Sequence, residues 1–389
     1  MTTTWVRSQT LAQIERLCRE PLDASTLRGR LLATLRQAVG FDAYVWLLTD
    51  PVTCVGAAPL ADVPCLPELP ELIRSKYLTA VNRWTTLSTS DSRVGLLHRE
   101  VDGRLERSRL WRDVLNRYGI ADLASIAFAD QFGCWGFLDL WRTGESEPFG
   151  SADAEFLAMI TPAITTALRE SQARTFLDVP TPHRNVIGPV VLTLNDNLQI
   201  TSRTAASADW LDTLLPPRPG DSAIPASVYN VAAQLLAVEA GIDDHDALAR
   251  THLTDGFWLA LRAARLTVPD RRPAPDDIPT DIVVTMEEAT AAERLEIYCL
   301  ATGLTPREQN VVELIATGAD TRAMAHAMRV AEHTIQDHLK SIFTKSGVRD
   351  RISLLSRALG THPSSPELRM PRAVDRPRDC GAPMPGGSL

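Results

Sequence analysis

The chain has 389 residues, 44% of them hydrophobic, enough for two or three domains with cores of their own. A net charge of −8 excludes a whole-chain polycation, but the charge is uneven. Over residues 304–359 eight Lys and Arg face six Asp and Glu, a net of +2, so the remainder carries −10.

In chain order, residues 1–175 mix helices and strands. Leu27, Leu31, Leu35 and Val39 recur at every fourth position and stop at Gly40, which predicts an amphipathic helix with a terminator. FDAYVWLLTD follows as a buried strand and TCVGAA as a second. APLADVPCLPELP holds four prolines, which predicts a loop or lid. Helices are expected over 68–82 and 106–118. SIAFAD and CWGFLDLWR, joined through Gln131, Phe132 and Gly133, read as a hairpin. SADAEFLAMITPAITTALRE reads as a long helix capped by Ser151 and kinked at Pro162.

Pro180, Pro182 and Pro189 mark a linker, 176–188. Within 189–289, VVLTLNDNLQITSRTAASADWL predicts a strand, a turn at Asp196 and Asn197, a second strand and a helix. A helix over 227–240 follows, then strands at GFWLALRAARL and DIVVTMEEA around a proline-rich loop, 268–280. Residues 290–303 form a connecting helix ended by Gly303. The tail, 361–389, is proline-rich and lacks apolar periodicity. It cannot bury enough surface to offset chain entropy and is predicted to be disordered.

Residues 304–360 carry the sharpest signals, four short helices with start and stop residues. Thr305, Pro306 and Glu308 make an N-cap, a first helical position and a capping box, and Gly318 suits a C-cap. Asp320 caps the second helix, whose Met324, Ala325 and Met328 share a face. In the third, Ile335, Leu339, Ile342 and Phe343 form a buried stripe. His333, Gln336, Asp337, Lys340, Ser341 and Thr344 fall opposite, with Thr334 and Lys345 beside them. Two short helices, a turn and a helix with a long polar face make a helix-turn-helix. Its polar side chains suit base edges and phosphates of duplex DNA; a solvated surface on a small bundle is the alternative. In the fourth helix, capped by Asp350, Ile352, Leu355 and Leu359 form an apolar edge that pairs two copies or closes the domain's own core.

LTPREQ, EHTIQDHL, IF and GVRDR resemble the LuxR-type DNA-binding domain without a gap from Leu304 to about Leu359. The resemblance implies that the third helix reads DNA and that the fourth contributes to dimerisation. Departures are Gln336 where the family carries Lys, followed by the anion Asp337, Ala331 in place of a Ser cap, and Arg329 in place of a turn Gly. The first 175 residues, through GCWGFLDLWR…PFGSADAEFLAMI, are similar to a GAF domain, and VVLTLNDNLQITSRTAASADWL looks like the start of a PAS domain. The expected architecture is α+β, GAF-like then PAS-like, followed by an all-α four-helix LuxR-type helix-turn-helix.

Trp46, Trp135, Phe137 and Trp141 are candidates to line an effector cavity, because Trp135, Phe137 and Trp141 alternate along one strand; core packing is the competing reading. His245 in DDHD and His252 lack the spacing of a helical two-His metal site, and a solvated acidic loop is expected there. The six cysteines are scattered, so reduced thiols are expected rather than zinc or disulfides. No G-x-S-x-G or Walker loop argues for an enzyme, and the sequence leaves the cofactor unknown. No apolar run approaches the roughly 18 residues of a membrane helix, and no signal segment opens the sequence, so a cytoplasmic protein with no membrane partner is expected. The partners implied are double-stranded promoter DNA, a small-molecule effector, a second copy of the chain and RNA polymerase. An adaptor whose degenerate helix-turn-helix binds protein is the alternative that Gln336 and Asp337 suggest.

Overall fold

A computed structural model describes residues 3–144, 146–177, 190–207, 226–253, 257–266 and 281–360. The expected linker beyond Leu177, most of the helix expected after Arg203, the proline-rich loop and the tail lie outside them.

Helices α1 (Thr3–Arg19) and α2 (Ala24–Ala38) lead into the first sheet. Asp23 starts α2 by accepting from Ser25 N at 3.0 Å and Thr26 N at 2.9 Å. The sheet is antiparallel, built from β1 (Ala43–Thr49), β2 (Gly56–Asp62), β3 (Val94–Leu96), β4 (Ile120–Asp130) and β5 (Gly133–Thr143), in the order β2-β1-β5-β4-β3. Four short helices lie between β2 and β4: α3 (Leu69–Tyr77), α4 (Trp84–Thr89), α5 (Leu97–Glu100) and α6 (Arg109–Asp113). The long helix α7 (Ser151–Arg174) closes the unit. Leu27, Leu31 and Leu35 of α2 and Ile160, Ile164 and Leu168 of α7 share one core with Trp46, Leu138 and Leu140 of the sheet.

Several local expectations change. The proline-rich stretch after Gly56 is not wholly loop, because β2 runs through Pro59 to Asp62. The strand lies at the sheet's edge and its register slips between Trp46↔Leu60 and Leu48↔Ala57. An edge and a bulge are the places where a residue without an N–H is tolerated. The cap of α7 is Gly150 rather than Ser151, and Asp153 reaches back to accept from Gly150 N at 3.0 Å. Pro162, the position of the expected kink, lies inside that helix. Residues 106–118 are split into short turns around α6, and α3 ends at Tyr77.

The second sheet, also antiparallel, repeats the same order. It contains β6 (Val190–Leu194), β7 (Ile200–Arg203), β8 (Leu248–His252), β9 (Trp258–Arg265) and β10 (Ile282–Glu288), arranged β7-β6-β10-β9-β8. Helix α8 (Ala226–Glu239) lies between the sheets. Its Val228 and Val231 pack with Leu259 and Leu261 of the second sheet and with Leu47, Val55 and Tyr77 of the first unit. Asn230 Nδ2 donates to Gly56 O at 2.9 Å. Strand β8 replaces part of the loop expected around His245 and His252. Its Arg250 is buried and forms a two-point pair with Asp50, at 2.6 Å and 2.9 Å, while also reaching Glu296. Asp243, expected in solvent, is buried against Arg83, whose Nε donates to it at 3.0 Å.

The connecting helix α9 (Ala291–Ala301) begins with a capping box in which Thr290 N donates to Glu293 Oε2 at 2.8 Å. Phe176, within the segment expected to be linker, is buried where three elements meet. Its ring stacks on Trp258 at 4.9 Å, meets Tyr298 edge-on at 5.2 Å and lies under the Arg294 guanidinium at 5.2 Å. No helix among the described residues is long and apolar enough to cross a membrane.

Candidate nucleic-acid interface

Beyond α9 come α10 (Pro306–Ala316), α11 (Thr321–Met328), α12 (Glu332–Ser346) and α13 (Arg351–Leu359). Three of the four starts follow from a cap. Thr305 N donates to Glu308 Oε2 at 2.7 Å, Ala323 N to Asp320 Oδ1 at 2.7 Å and Ser353 N to Asp350 Oδ1 at 2.8 Å. Only α12 opens without a side-chain acceptor, at Ala331. Arg329, closing α11, is left-handed (φ 55°, ψ 46°), a conformation that costs a non-glycine residue roughly 1–2 kcal/mol.

Ile335, Leu339 and Ile342 of α12 are buried against Val311, Val312 and Ile315 of α10, Met324 of α11 and Leu354 of α13. Phe343 is half-buried at the edge of this core. The opposite face carries His333, Gln336, Asp337, Lys340 and Thr344, all exposed. Steps of three and four residues line these five up along the helix. Thr334 is half-buried beside them.

Ser341 and Lys345 lie on the flank towards α10. Ser341 Oγ donates to Glu308 Oε1 at 2.6 Å and Lys345 Nζ to Oε2 at 2.7 Å. Burial alone would raise the Glu308 carboxyl, but Lys345, Ser341 and Thr305 outweigh it and hold it down at about 2. The capping glutamate therefore also fixes the roll of α12. At the other end, Arg357 Nη1 donates to the terminal carbonyls of Ser346 and Gly347 at 3.0 Å and 3.3 Å. The sequence pattern marked neither tie, since both join residues on different helices.

The candidate pairing residues divide. Ile352 is 61% exposed, whereas Leu355 and Leu359 are half-buried against the domain core. Helix α13 packs on α9, where Arg294 Nη2 donates to Arg357 O at 3.4 Å. The four aromatic candidates for a cavity are all buried and do not share a face. Trp46 and Trp135 belong to the core under α2 and α7; Phe137, stacked on Trp84 at 5.1 Å, and Trp141 lie on the other side. The register slips between Phe128↔Gly136 and Ala129↔Cys134, so Trp135 is the extra residue of a bulge and crosses to the opposite face.

Short capped helices, a tight turn and an exposed polar stripe on the helix after it define a helix-turn-helix DNA-binding domain. Residues 302–358 match the family of bacterial regulatory proteins, luxR family, so this is a LuxR-type domain. Over 60 residues, 15% of the chain, the sequence is 42% identical to the probable HTH-type transcriptional regulator GfsR of Streptomyces halstedii, of which this covers 24%. Over 63 residues, 16% of the chain, it is 32% identical to the transcriptional regulatory protein DesR of Bacillus subtilis (strain 168), covering 32% of it. The matches thus span about a quarter to a third of these relatives' length.

Proposed function

We propose that the chain is a cytoplasmic transcription regulator that reads duplex DNA through α12 under the control of its two sheet units. The observation that carries this reading is the exposed stripe His333, Gln336, Asp337, Lys340 and Thr344 on the recognition helix of a luxR-family domain. Set in the major groove, Gln336 pairs with an adenine edge and Asp337 accepts from a cytosine amino group. Lys340 meets phosphate, with Thr334 and Thr344 as lesser contacts along the helix, while Ser341 and Lys345, tied to Glu308, hold its roll.

The repeated strand order of the two sheets supports the GAF-like and PAS-like readings, with a small effector as input and RNA polymerase as a further partner at the promoter. Two copies pair through Ile352, Leu355 and Leu359. Because α13 also packs on α9, an effector that shifts α9 changes how much of that edge is free.

Selection of bound sites from a randomised duplex library by the full chain tests the reading. Recovery of a shared sequence is expected. Retention without sequence preference, or no retention at moderate salt, favours the adaptor instead.

A further inference from the structure

The DNA reading leaves unused a cleft of about 280 Å³ at the edge of the first sheet. Strand β3 pairs with β4 only from Leu96↔Ala124 to Val94↔Ile126, so Ala129 and Asp130 run on beyond it. These two residues and the loop Asp91, Ser92 and Arg93 form one wall. The other is the face of α7 that bears Ala158, Thr161, Pro162, Thr165 and Thr166. The volume lies near the lower end for ligand pockets, so an occupant has to be small.

Arg93 supplies the chemistry. Its backbone is fixed, since its N–H donates to Ser90 Oγ at 3.2 Å and its carbonyl accepts from Ala127 N at 2.9 Å. Its side chain is not. Nη1 is buried and has no hydrogen-bond partner among the described residues. A buried cationic donor without an acceptor is costly, so an acceptor that enters the cleft is stabilised there. The carboxylates in the walls do not fill that role. Asp130 accepts from Phe132 N at 2.9 Å and Trp135 Nε1 at 3.0 Å through Oδ1, and from Arg169 Nε at 3.0 Å through Oδ2. Asp91 is exposed at the rim.

The hydroxyls of the walls have already spent their protons. Thr161, Thr165 and Thr166 donate to the carbonyls of Leu157, Thr161 and Pro162 at 2.7 Å, 2.8 Å and 3.1 Å. Ser92 Oγ donates to Val94 O at 2.9 Å. The cleft therefore offers one cationic donor beside the apolar surface of Ala129, Ala158 and Pro162. A sugar or a phosphate ester needs several donors, whereas one carboxylate on a short hydrocarbon needs this set. Asp91 and Asp130 also set negative charge in the walls, which disfavours a second anionic group on the ligand.

We propose that this cleft binds a small aliphatic monocarboxylate, whose oxygens accept from Arg93 and whose hydrocarbon lies on Ala129, Ala158 and Pro162. The proposal gives the effector input a place and a chemical class, and rests on that reading for its consequence at DNA but not for binding. The cleft also has a short route to the reader. Arg169, which holds Asp130, lies over the Phe132 ring at 5.0 Å and donates from Nη1 to Ala301 O at 3.3 Å. Ala301 is the last residue of α9, so a ligand that shifts α7 shifts the end of α9 from which the reader begins.

The test is calorimetric titration of the full chain, without DNA, with butyrate, isovalerate and hexanoate, then with their amides and with inorganic phosphate. Saturable binding of at least one acid is expected, with its amide and phosphate at least tenfold weaker. Arg93→Gln should weaken that acid roughly 10- to 100-fold. Ala158→Phe, which fills the cleft and keeps Arg93, should weaken it as well, with circular dichroism confirming that both variants are folded. Arg99→Gln, on α5 and outside the cleft, should bind as the wild type does. No binding of any acid, an amide that binds as tightly as its acid, or affinity unmoved by both cleft variants overturns the proposal. Failure of the effector reading looks different: the acid binds as expected, but the affinity of the chain for a selected duplex is the same with and without it.

Discussion

On α12, Lys340 stands in solvent among Gln336, Asp337 and Thr344, whereas in the sheet units Lys76, Arg83 and Arg250 are buried against Asp139, Asp243 and Asp50. Lys76 Nζ lies 2.9 Å from Asp139, donates to Ser125 Oγ at 3.0 Å and sits over the Trp84 ring at 4.4 Å. Burial lowers its pKa and the Asp139 carboxylate opposes the shift. Charge in the interior costs several kcal/mol per ion unless it is paired, so these contacts fix which elements meet rather than adding net stability. Charge on α12 costs little to keep and is left for a partner to neutralise. One region uses ions to hold itself in register; the other presents them.

The comparison can be broken most sharply at Asp50. Asp50→Ala leaves the Arg250 guanidinium buried without its main partner and should cost about 3–5 kcal/mol in denaturant unfolding followed by circular dichroism. A loss below about 1 kcal/mol would mean that the pair is not an organising contact. Glu308→Gln, which cuts the one strongly paired acid of the reader, should cost about 1–3 kcal/mol. The sign with pH follows from a carboxyl held at about 2 instead of its ordinary 4.5. Its stabilisation is complete above about 4.5 and is lost as pH falls towards 2. Thermal unfolding across that window should be steeper for the wild-type chain than for the variant.

A smaller effect is expected at Arg329, where Arg329→Gly relieves the left-handed backbone and should raise stability by roughly 1 kcal/mol. Smallest of all, Lys340→Ala should leave stability within about 0.5 kcal/mol. Its effect belongs to binding: affinity for duplex DNA should fall, and the slope of log affinity against log salt should shrink by roughly 1. A Lys340 variant that loses stability but not affinity would reverse the contrast between the two regions.

The same contrast explains what was legible in the sequence. The C-terminal helices declare themselves locally, through Thr305 with Glu308, Gly318, Asp320 and Asp350, each within a turn of what it caps. Strand β8 does not, because its central Arg250 interrupts any apolar alternation and is accounted for only by Asp50, 200 residues earlier. The inward turn of Ser341 and Lys345 depends on Glu308, 33 and 37 residues away. Alternation along β5 misled for Trp135 because one bulged residue reverses parity, and Pro59 concealed an edge strand. Periodicity is read along a chain; pairing across it is not.

The central claim is that the exposed face of α12 reads base pairs, and Gln336→Ala tests it most directly. Affinities of the full-length wild-type and variant chains would be compared on a selected duplex and on each of its single-base-pair changes. The account predicts that the variant loses discrimination at one base step, by roughly 1–3 kcal/mol, and keeps it elsewhere. An unchanged discrimination profile at every position would contradict it.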